Sequence, residues 1–391
     1  MTSPRIYLDH NATSPVRPEV AAAVAEALTL PGNPSSIHGE GRAARAALER
    51  ARDAVARRIE AGAGRVVFTS GGTEAANAVL SGTLARVGQP APTRLLVGAT
   101  EHPCVSAGHR FPADAVDVIP VDAAGRIDLS TLEALLARHA DAGVLISVHA
   151  ANNETGVIQP LSAIVALARA HGRALVHSDA VQAVGKIPLH LGGLGLDALT
   201  LSGHKFGAPK GVGALVLADG VTLGEPALRG GGQEGRLRGG TENLPGIVGL
   251  GVAVDLAEPD AAARLAPLRD RLAAGLRAAA PDLTVFGENA ARLPNTLCFA
   301  VPGLDAPTAL MALDLAGFAL SSGSACSSGK VARSPVLAAM GVSPALAAGA
   351  LRVSLGWNST ESDVARCLAA CERVLETLYR RQGKPARERA A

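Results

Sequence analysis

The chain has 391 residues, of which 48% are hydrophobic and 18% are charged, and its formal net charge is +2. These proportions exclude an intrinsically disordered chain and predict a compact protein with a large core. The near-neutral charge and the 2% of aromatic residues argue against nucleic-acid binding, which needs a basic surface and stacking rings. No apolar run reaches the ~18 residues that span a bilayer, and the N-terminus lacks a signal-peptide pattern, so we expect a cytoplasmic protein.

Short apolar segments recur along residues 65–218 and have the composition of buried β-strands. They lack strict alternation, which is typical of a sheet covered on both faces. Helical patterns lie between them, for example at residues 162–172, where Gly172 predicts the helix end. The chain therefore predicts an α/β doubly wound, mostly parallel sheet with strands at 65–70, 94–100, 143–150, 173–180 and 197–203, and an antiparallel neighbour at 213–218.

Polar clusters follow five of these strands directly, at the point where each strand ends. In open α/β sheets, ligands bind in the crevice beyond the carboxyl ends of the strands. We therefore expect that one site is formed by the five clusters GGTEAAN, EHP, NNETG, DAVQ and GHK.

The composition changes beyond residue 255, where an Ala-, Leu- and Arg-rich helical connector begins. Strand-like and helical segments then mix, which predicts a smaller α+β domain in the C-terminal part. We expect a large domain at residues 15–255 and a small domain at residues 256–391. Residues 1–14 are expected to return to the small domain or to the site.

Lys205 lies at the end of a buried strand, within the sequence SGHK. A lysine is ordinarily a solvated surface residue, and a phosphate-binding charge is a further alternative. A neutral amine in a desolvated pocket, however, is a good nucleophile toward carbonyls. The position therefore predicts the Schiff-base lysine of an enzyme that uses pyridoxal 5′-phosphate (PLP).

Three further polar residues suit the ring of PLP. Asp179 supplies an anion that keeps the pyridine nitrogen protonated, unless it is a helix N-cap. Gln182 suits the ring hydroxyl, the alternative being an exposed helix residue. His102 suits the ring face and can move protons, the alternative being a hydrogen-bonded structural histidine.

A glycine-rich turn, Gly71-Gly72-Thr73, opens a helix and predicts the phosphate end of the cofactor site. Thr73 adds a hydroxyl donor or is simply the N-cap of that helix. Ser202 and His204 are further candidate donors to the same phosphate.

Two residues are candidates for substrate contacts. Asn153, in NNETG, either forms a turn or contacts cofactor and substrate. Arg352, on a predicted strand of the small domain, has a guanidinium fork that suits an α-carboxylate. The alternative for Arg352 is an ordinary surface arginine.

The five cysteines are scattered and do not resemble a disulfide framework. Cys326 lies in SSGSACSSGK, which predicts an exposed loop where an accessible thiol near positive groups becomes a nucleophile. The others are expected to be core residues: Cys104, Cys298, Cys367 and Cys371. No pattern predicts an intrinsic metal site, although Cys326 could hold a cluster transiently.

In chain order, these motifs resemble the PLP-dependent cysteine desulfurases of the NifS/IscS class, in the class V aminotransferase family. The departures from the family pattern are small, and include His10, Ser14 and Ser178. The resemblance runs nearly end to end, through YLDHNATSPV, GNPSSIHGEGR, FTSGGTEAAN, TEHPCV, NNETGVIQP, HSDAVQAVGK, SGHKFGAPKGVGAL, GGGQEGRLRGGTEN, SSGSACSSG and LRVSLG.

The resemblance implies a fold-type-I homodimer with its active sites at the subunit interface. It implies that L-cysteine is converted to L-alanine and that its sulfur passes to Cys326 as a persulfide, and then to acceptors such as an iron–sulfur scaffold or tRNA thiolation. The implied cofactor residues are Gly72, Thr73, His102, Asn153, Asp179, Gln182, Ser202, His204, Lys205 and, reaching the phosphate in the partner subunit, Thr241. The implied substrate residues are Asn153 and Arg352.

Two alternatives stay open. One is another PLP enzyme of this fold, a selenocysteine lyase or an aminotransferase, although the RxGHHC pattern of the other branch of the family is absent. The second is a catalytically idle scaffold for sulfur-transfer partners. We expect no direct nucleic-acid or membrane partner.

Overall fold

The computed structural model describes residues 5–322 and 334–381. Its strands are β1 (Ile6–Tyr7), β2 (Val66–Thr69), β3 (Leu84–Arg86), β4 (Arg94–Gly98), β5 (Val116–Ile119), β6 (Val144–Ser147), β7 (Ala174–Asp179), β8 (Ala198–Ser202), β9 (Gly213–Leu217), β10 (Val221–Leu223), β11 (Thr284–Val285), β12 (Thr296–Ala300), β13 (Phe318–Ala319) and β14 (Leu351–Ser354). Its helices are α1 (Pro18–Ala27), α2 (Gly39–Ile59), α3 (Gly72–Val79), α4 (Pro103–Ser106), α5 (Leu129–Arg138), α6 (Leu161–His171), α7 (Leu191–Leu194), α8 (Leu244–Leu256), α9 (Pro259–Ala263), α10 (Leu265–Ala279), α11 (Ala306–Leu315), α12 (Pro335–Ala339), α13 (Pro344–Ala347) and α14 (Glu361–Arg381).

The central sheet has the strand order β2-β9-β8-β7-β6-β4-β5 among the described residues. Strands β4 to β8 run parallel, and β9 pairs antiparallel with both β8 and β2. This confirms the predicted mostly parallel sheet and the antiparallel strand after Lys205. The sequence pattern misses β5, because Asp117 interrupts its short apolar run and only Ile119 is buried.

Alternate residues of the central strands face two separate hydrophobic layers. Leu96 and Ile146 belong to one cluster, whereas their chain neighbours Leu95 and Leu145 belong to another. This period of two is the pattern of a sheet that is covered on both faces. Helices α2 and α8 contribute to the first layer and α3 contributes to the second.

Helices α2 and α8 cross at a short distance on the first face. A side chain at Gly251 would meet the Cα of Ala51 at 2.7 Å, so a residue without a Cβ is needed at this crossing. The buried side chains of Leu48 and Leu250 continue the same contact layer.

A further core lies in the C-terminal part of the chain and includes Ile6 and Leu8. It contains the antiparallel sheet β11-β12-β14 and one side of α10 and α14. Strand β1 pairs in parallel with β13, which joins the N-terminal segment to this part of the chain, as expected. The division into domains at residue 255 stays a prediction. Three of the cysteines are buried in this part of the chain, as predicted: Cys298, Cys367 and Cys371.

The predicted helical connector after residue 255 is divided into separate helices. Helix α8 ends at Leu256, α9 starts at Pro259 and α10 starts at Leu265. Proline lacks a backbone N–H, so Pro259 begins a new helix in place of continuing α8.

Candidate active site

The carboxyl ends of β2, β4, β6, β7 and β8 meet at one edge of the central sheet, because these strands share one direction. The contacts between their following segments are close. A side chain at Gly72, after β2, would meet Val181 Cγ2 at 2.8 Å and Ser202 Cβ at 3.4 Å. The clusters that follow β2, β7 and β8 therefore pack directly against each other.

Lys205 ends a short turn, Gly203–Lys205, that follows β8 directly. Its Nζ atom donates hydrogen bonds to the carbonyl oxygens of Asn11 at 2.8 Å and Ala12 at 2.9 Å. The side chain is half-buried, so the surface-loop interpretation of this lysine is wrong. The N-terminal segment thus returns to the site, and two carbonyl groups hold the amine at the sheet edge.

Asp179 is the last residue of β7 and is only 7% exposed. Its Oδ1 accepts a hydrogen bond from the backbone N–H of Val181 at 2.9 Å. Burial raises the pKa of Asp179 to about 6, and the charge of Glu101 adds to the rise. The next helix starts only at Leu191, so Asp179 is not a helix N-cap. A cation such as a protonated ring nitrogen would stabilise this carboxylate in its ionised form.

His102 follows β4 and caps the short helix α4. Its Nδ1 accepts a hydrogen bond from the backbone N–H of Cys104 at 3.1 Å, so the neutral ring carries its proton on Nε2. Burial and the charge of Lys205 lower the pKa of His102. The imidazole is therefore neutral at physiological pH, with Nε2 as its proton donor.

Cys104 packs partly against the second hydrophobic layer, as expected for a core residue. Its Sγ atom also lies 3.8 Å from Oδ2 of Asp179, a contact that its apolar neighbours in the sequence do not predict. Burial raises the pKa of this thiol, and the charge of Asp179 raises it further. Cys104 is therefore a neutral thiol and a poor nucleophile.

The glycine-rich turn lies beside the end of β8. Helix α3 begins at Gly72 with Gly71 as its N-cap, so the interpretation of Thr73 as the N-cap is wrong. Thr73 is exposed in the first turn of the helix, and Ser202 is buried next to Gly72. A side chain at Gly213 would lie 2.8 Å from the backbone of Gly71, so only glycines allow this close approach.

His204 lies next to Lys205 and is half-buried. Its Nδ1 is 3.1 Å from Thr13 Oγ1. Burial lowers the pKa of His204 to about 4, and the charge of Lys205 contributes to this decrease. The ring is therefore neutral, and it is held to the N-terminal segment.

Arg352 is 2% exposed, so the surface-arginine interpretation is wrong. Its Nη1 donates to the carbonyl oxygen of Asn153 at 2.9 Å, and its Nη2 donates to Asp9 Oδ1 at 2.7 Å. The contact between the Asp9 carboxylate and the Arg352 guanidinium is of the type that the carboxylate of a substrate would form. The Nε atom of Arg352 has no hydrogen-bond partner within the described part of the chain.

The turn after β6 is formed by Asn152 and not by Asn153. The Oδ1 atom of Asn152 accepts from the backbone N–H groups of Glu154 at 2.8 Å and Thr155 at 2.9 Å. Asn153 is half-buried, and its carbonyl oxygen faces Arg352.

Gln182 is buried, so its interpretation as an exposed helix residue is wrong. Its Nε2 donates to the carbonyl oxygen of Asn11 at 2.9 Å, and its Oε1 accepts from Lys186 Nζ at 2.8 Å. Asn11 and Lys186 are site residues that sequence reasoning missed. Both lie in segments that carry the family resemblance, YLDHNATSPV and HSDAVQAVGK, which could have drawn attention to them.

Asn11 connects several parts of the site and is 1% exposed. Its side-chain Nδ2 donates to the carbonyl oxygen of Asn153 at 3.1 Å and to Thr296 Oγ1 at 2.9 Å. Nearby, two of the residues that depart from the family pattern contact each other, since His10 Nδ1 is 3.0 Å from Ser14 Oγ.

Two predicted residues are not brought to this site by the described structure. Thr241 is exposed in the loop before α8. Cys326 lies outside the described residues. Within residues 5–322 and 334–381, no group of three His, Cys, Asp or Glu side chains could hold a metal ion. No helix in the same ranges is long and apolar enough to cross a bilayer.

Residues 6–367 match the family model of class-V aminotransferases. The chain belongs to this family and, within it, to the cysteine desulfurases of the NifS/IscS class. It is 43% identical to a cysteine desulfurase of Cereibacter sphaeroides over 96% of each chain, and 38% identical to the cysteine desulfurase IscS of Dictyoglomus turgidum over 95% of each chain. It also resembles the crystal structure of a NifS-like protein from Rickettsia africae, with a TM-score of 0.84 and 33% identity over 95% of this chain and 99% of the other.

Enzymes of this family use PLP, and the fold is the predicted fold type I. The residues at the sheet edge fit this cofactor. A lysine amine, a buried carboxylate and a neutral imidazole lie together, and the Gly72 turn has no room for a side chain. A planar ring with a basic nitrogen, an aldehyde and a phosphate matches this set of groups.

Proposed function

We propose that the protein is a cysteine desulfurase, a sulfurtransferase that converts L-cysteine to L-alanine and leaves the sulfur as a persulfide on Cys326. Two findings support this proposal. The relatives named cysteine desulfurase match nearly the whole chain. The single structural observation that carries it is the meeting of Lys205, Asp179 and His102 at one sheet edge.

PLP would be held by Asp179 at the ring nitrogen and by His102 at the ring face. Gln182 would contact the ring hydroxyl, and the phosphate would lie in the Gly72 turn with donors from Thr73, Ser202 and His204. Asn153 would add a polar contact to the cofactor. When bound through the amine of Lys205, PLP supplies an electron-withdrawing ring that stabilises negative charge next to the substrate nitrogen.

The protein's own groups then bind the substrate and move protons. Arg352 holds the α-carboxylate, which must replace Asp9 at Nη2, and Asn153 lies beside it. Lys205, whose amine is held by two backbone carbonyl groups, takes up the α-proton. His102, neutral and protonated at Nε2, is a second group that can donate a proton.

The sulfur transfer is assigned to Cys326. Its thiolate attacks the substrate sulfur, a sulfur–sulfur bond forms, and the carbon–sulfur bond breaks. The released electron pair stays on the carbon, which takes up a proton to give alanine. The persulfide is then passed to an acceptor protein, such as an iron–sulfur scaffold, or is used in tRNA thiolation. A cluster held transiently by Cys326 belongs to the same delivery step.

The proposal includes a homodimer with two active sites at its interface. Thr241 is exposed in this subunit and would reach the phosphate in the partner subunit. We also propose a cytoplasmic location. The alternative function is a selenocysteine lyase or another aminotransferase of this family, and an aminotransferase does not need Cys326.

The test is an assay of the PLP-loaded protein with L-cysteine, in which alanine and sulfide are measured. We expect equal amounts of both products in the presence of a thiol. Cys326→Ser should abolish sulfide release and keep the cofactor absorbance, whereas Lys205→Ala should lose both. Full desulfurase activity in Cys326→Ser would contradict the role of this thiol. Activity on selenocysteine alone would favour the lyase.

A further inference from the structure

Lys186 is a lysine with an unusual position, since it lies in the interior beside the site and is only 9% exposed. Its Nζ donates to Gln182 Oε1 at 2.8 Å and lies 3.4 Å from Asn11 Oδ1. Buried lysines are rare and are usually paired with a carboxylate. In the part of the chain that the structure describes, Lys186 forms no ion pair with an acidic side chain, so its hydrogen bonds are to neutral amide oxygens.

The charges that face Lys186 are positive. Burial, together with the charges of Lys205 and Arg352, lowers the pKa of Lys186 to about 7. Lys186 also contributes to the lowered pKa of His10, which burial brings to about 4. If this position served only for packing, an apolar residue would stabilise the fold more than a buried lysine does. A lysine kept here against burial and repulsion indicates that its donor groups are used.

The hydrogen bond from Lys186 determines the orientation of the Gln182 amide. In its protonated form Lys186 can only donate, so the atom of Gln182 that faces it must then be the carbonyl oxygen. The NH₂ group of Gln182 then points to the other side, where it donates to the carbonyl oxygen of Asn11 at 2.9 Å. The same carbonyl oxygen accepts from Lys205 Nζ at 2.8 Å. Lys186, Gln182, Asn11 and Lys205 thus form one connected chain of hydrogen bonds.

We propose that Lys186 is a positioning residue that fixes the side-chain amide of Gln182, with its NH₂ group directed toward the ring hydroxyl of PLP. The inference rests on the proposed function, because it needs the cofactor beside Gln182. Without the lysine, the Gln182 amide keeps only its hydrogen bond to the Asn11 carbonyl oxygen, so a rotation that presents its oxygen to the ring is opposed by one contact in place of two. The repulsion between this oxygen and the ring oxygen would then weaken cofactor binding.

The test is a pH titration of the absorbance band of the bound cofactor in wild type, Lys186→Met, Gln182→Leu and the double variant. Methionine replaces the aliphatic stem of lysine, one atom shorter, and removes its donors and charge. The loss of the positive charge and the loss of the donors both favour the protonated form of the bound cofactor. We therefore expect Lys186→Met to raise the pH midpoint of the absorbance titration by about one pH unit. We also expect the dissociation constant of PLP to rise about tenfold. In the Gln182→Leu background, the added shift should fall to less than half, because the amide is no longer there to be oriented.

Two controls separate positioning from packing and from charge. Lys186→Arg keeps donors and charge and should keep most of the wild-type midpoint. Lys210→Met removes the same charge from an exposed position and should shift the midpoint much less than Lys186→Met. If Lys186→Met does not fold in thermal melts, Lys186→Ala gives the same comparison. Lys186 lines a cavity of about 110 Å³ together with Lys205, His10 and Asn295. In Lys186→Ala, water can enter the space that the lysine side chain leaves.

Two results would overturn the inference. One is an unchanged midpoint in folded Lys186→Met when Gln182→Leu is shifted. The other is an equal shift by Lys186→Met in both backgrounds, which would show an effect of charge alone. Wild-type protein that takes up no PLP would instead refute the proposed function, so the two failures are distinguishable.

Discussion

Asp179 combines a buried position with the negative charge that the proposed chemistry requires. Its carboxylate is desolvated and lies near Glu101, and its pKa is raised to about 6. In the protein without PLP, this ionised group opposes folding at neutral pH. Buried charges that destabilise the ligand-free protein are common at functional sites, where a ligand of opposite charge offsets the cost of burial.

We predict that Asp179→Asn stabilises the PLP-free protein at high pH. The folded pKa lies above the unfolded value of 3.8, so the contribution of Asp179 to stability is present below about pH 4 and is lost as the pH rises through 6. Asparagine does not ionise. The difference in unfolding free energy should therefore shift by about 2 kcal/mol in favour of the variant between pH 4 and pH 8. Urea unfolding at both pH values measures it.

Asp128→Asn is the matched control for this prediction. Asp128 caps α5, and hydrogen bonds from Ser130 and Thr131 lower its pKa to about 2. Its contribution to stability is present above the unfolded pKa, so this variant should lose stability relative to wild type as the pH rises. A pH-independent difference for Asp179→Asn would contradict the buried carboxylate.

We predict that His102→Phe and His102→Ala separate stacking from proton transfer. Phenylalanine keeps a ring against PLP but cannot donate a proton. We expect kcat to fall ~10²-fold or more in His102→Phe with PLP retained. His102→Ala should in addition release PLP more readily, which dialysis followed by absorbance measures. Wild-type kcat in His102→Phe would show that the imidazole serves only as a stacking group.

The sequence predicts some residues of the site and cannot predict others. Lys205, Asp179 and His102 could be identified because each follows a recognisable strand directly. Asn11 could not, because its role depends on contacts with residues 171 and 194 positions away, at Gln182 and Lys205. Such contacts appear only when the N-terminal segment is placed at the sheet edge.

At the scale of elements, helix α12 begins at a contact that joins two distant parts of the chain. Ser334 Oγ donates to Glu154 Oε2 at 2.5 Å and accepts from the backbone N–H of Leu337 at 3.0 Å. Burial raises the pKa of Glu154, and the bond from Ser334 opposes that rise. One hydroxyl thus caps α12 and satisfies a buried carboxyl group.

We predict that Ser334→Ala lowers the unfolding free energy by about 2 kcal/mol, because it removes a helix cap and leaves a buried polar group unsatisfied. The control is Ser343→Ala, which removes the cap of α13 at an exposed position and should lower it by about 0.5–1 kcal/mol. Chemical denaturation of both variants gives the comparison. Equal losses would show that the bond to Glu154 contributes nothing.

The predictability of elements follows from their local patterns. The strands β2, β4, β6, β7, β8 and β9 each contain at least three apolar residues, and their ends lie within three residues of the predicted bounds. Strand β5 and the breaks around α9 depend on context, because an edge strand tolerates Asp117 and Pro259 ends one helix by starting another.

At the scale of the whole molecule, the proposed homodimer makes a quantitative prediction. If Thr241 acts on the site of the partner subunit, a mixed dimer of Lys205→Ala and Thr241→Ala subunits contains one intact site. Random reassociation makes half of the dimers mixed, and in each mixed dimer one of the two sites is intact. We therefore expect a refolded equal mixture to exceed the mean activity of the two parent variants by about a quarter of the activity that Thr241→Ala loses.

The result depends on subunit exchange, so size-exclusion chromatography with light scattering must first show a dimer. An activity equal to the mean of the two parent variants would contradict a shared site. The sequence suggests the dimer only through family resemblance, because no local pattern identifies which exposed surface a second subunit covers.

Peptide mass spectrometry after incubation of the PLP-loaded protein with L-cysteine is the most direct test of the central claim. We predict one added sulfur atom on the peptide that contains Cys326, removed by a reducing thiol and absent in Lys205→Ala. Alanine formation with the added sulfur on Cys104, or on no cysteine, would contradict the account.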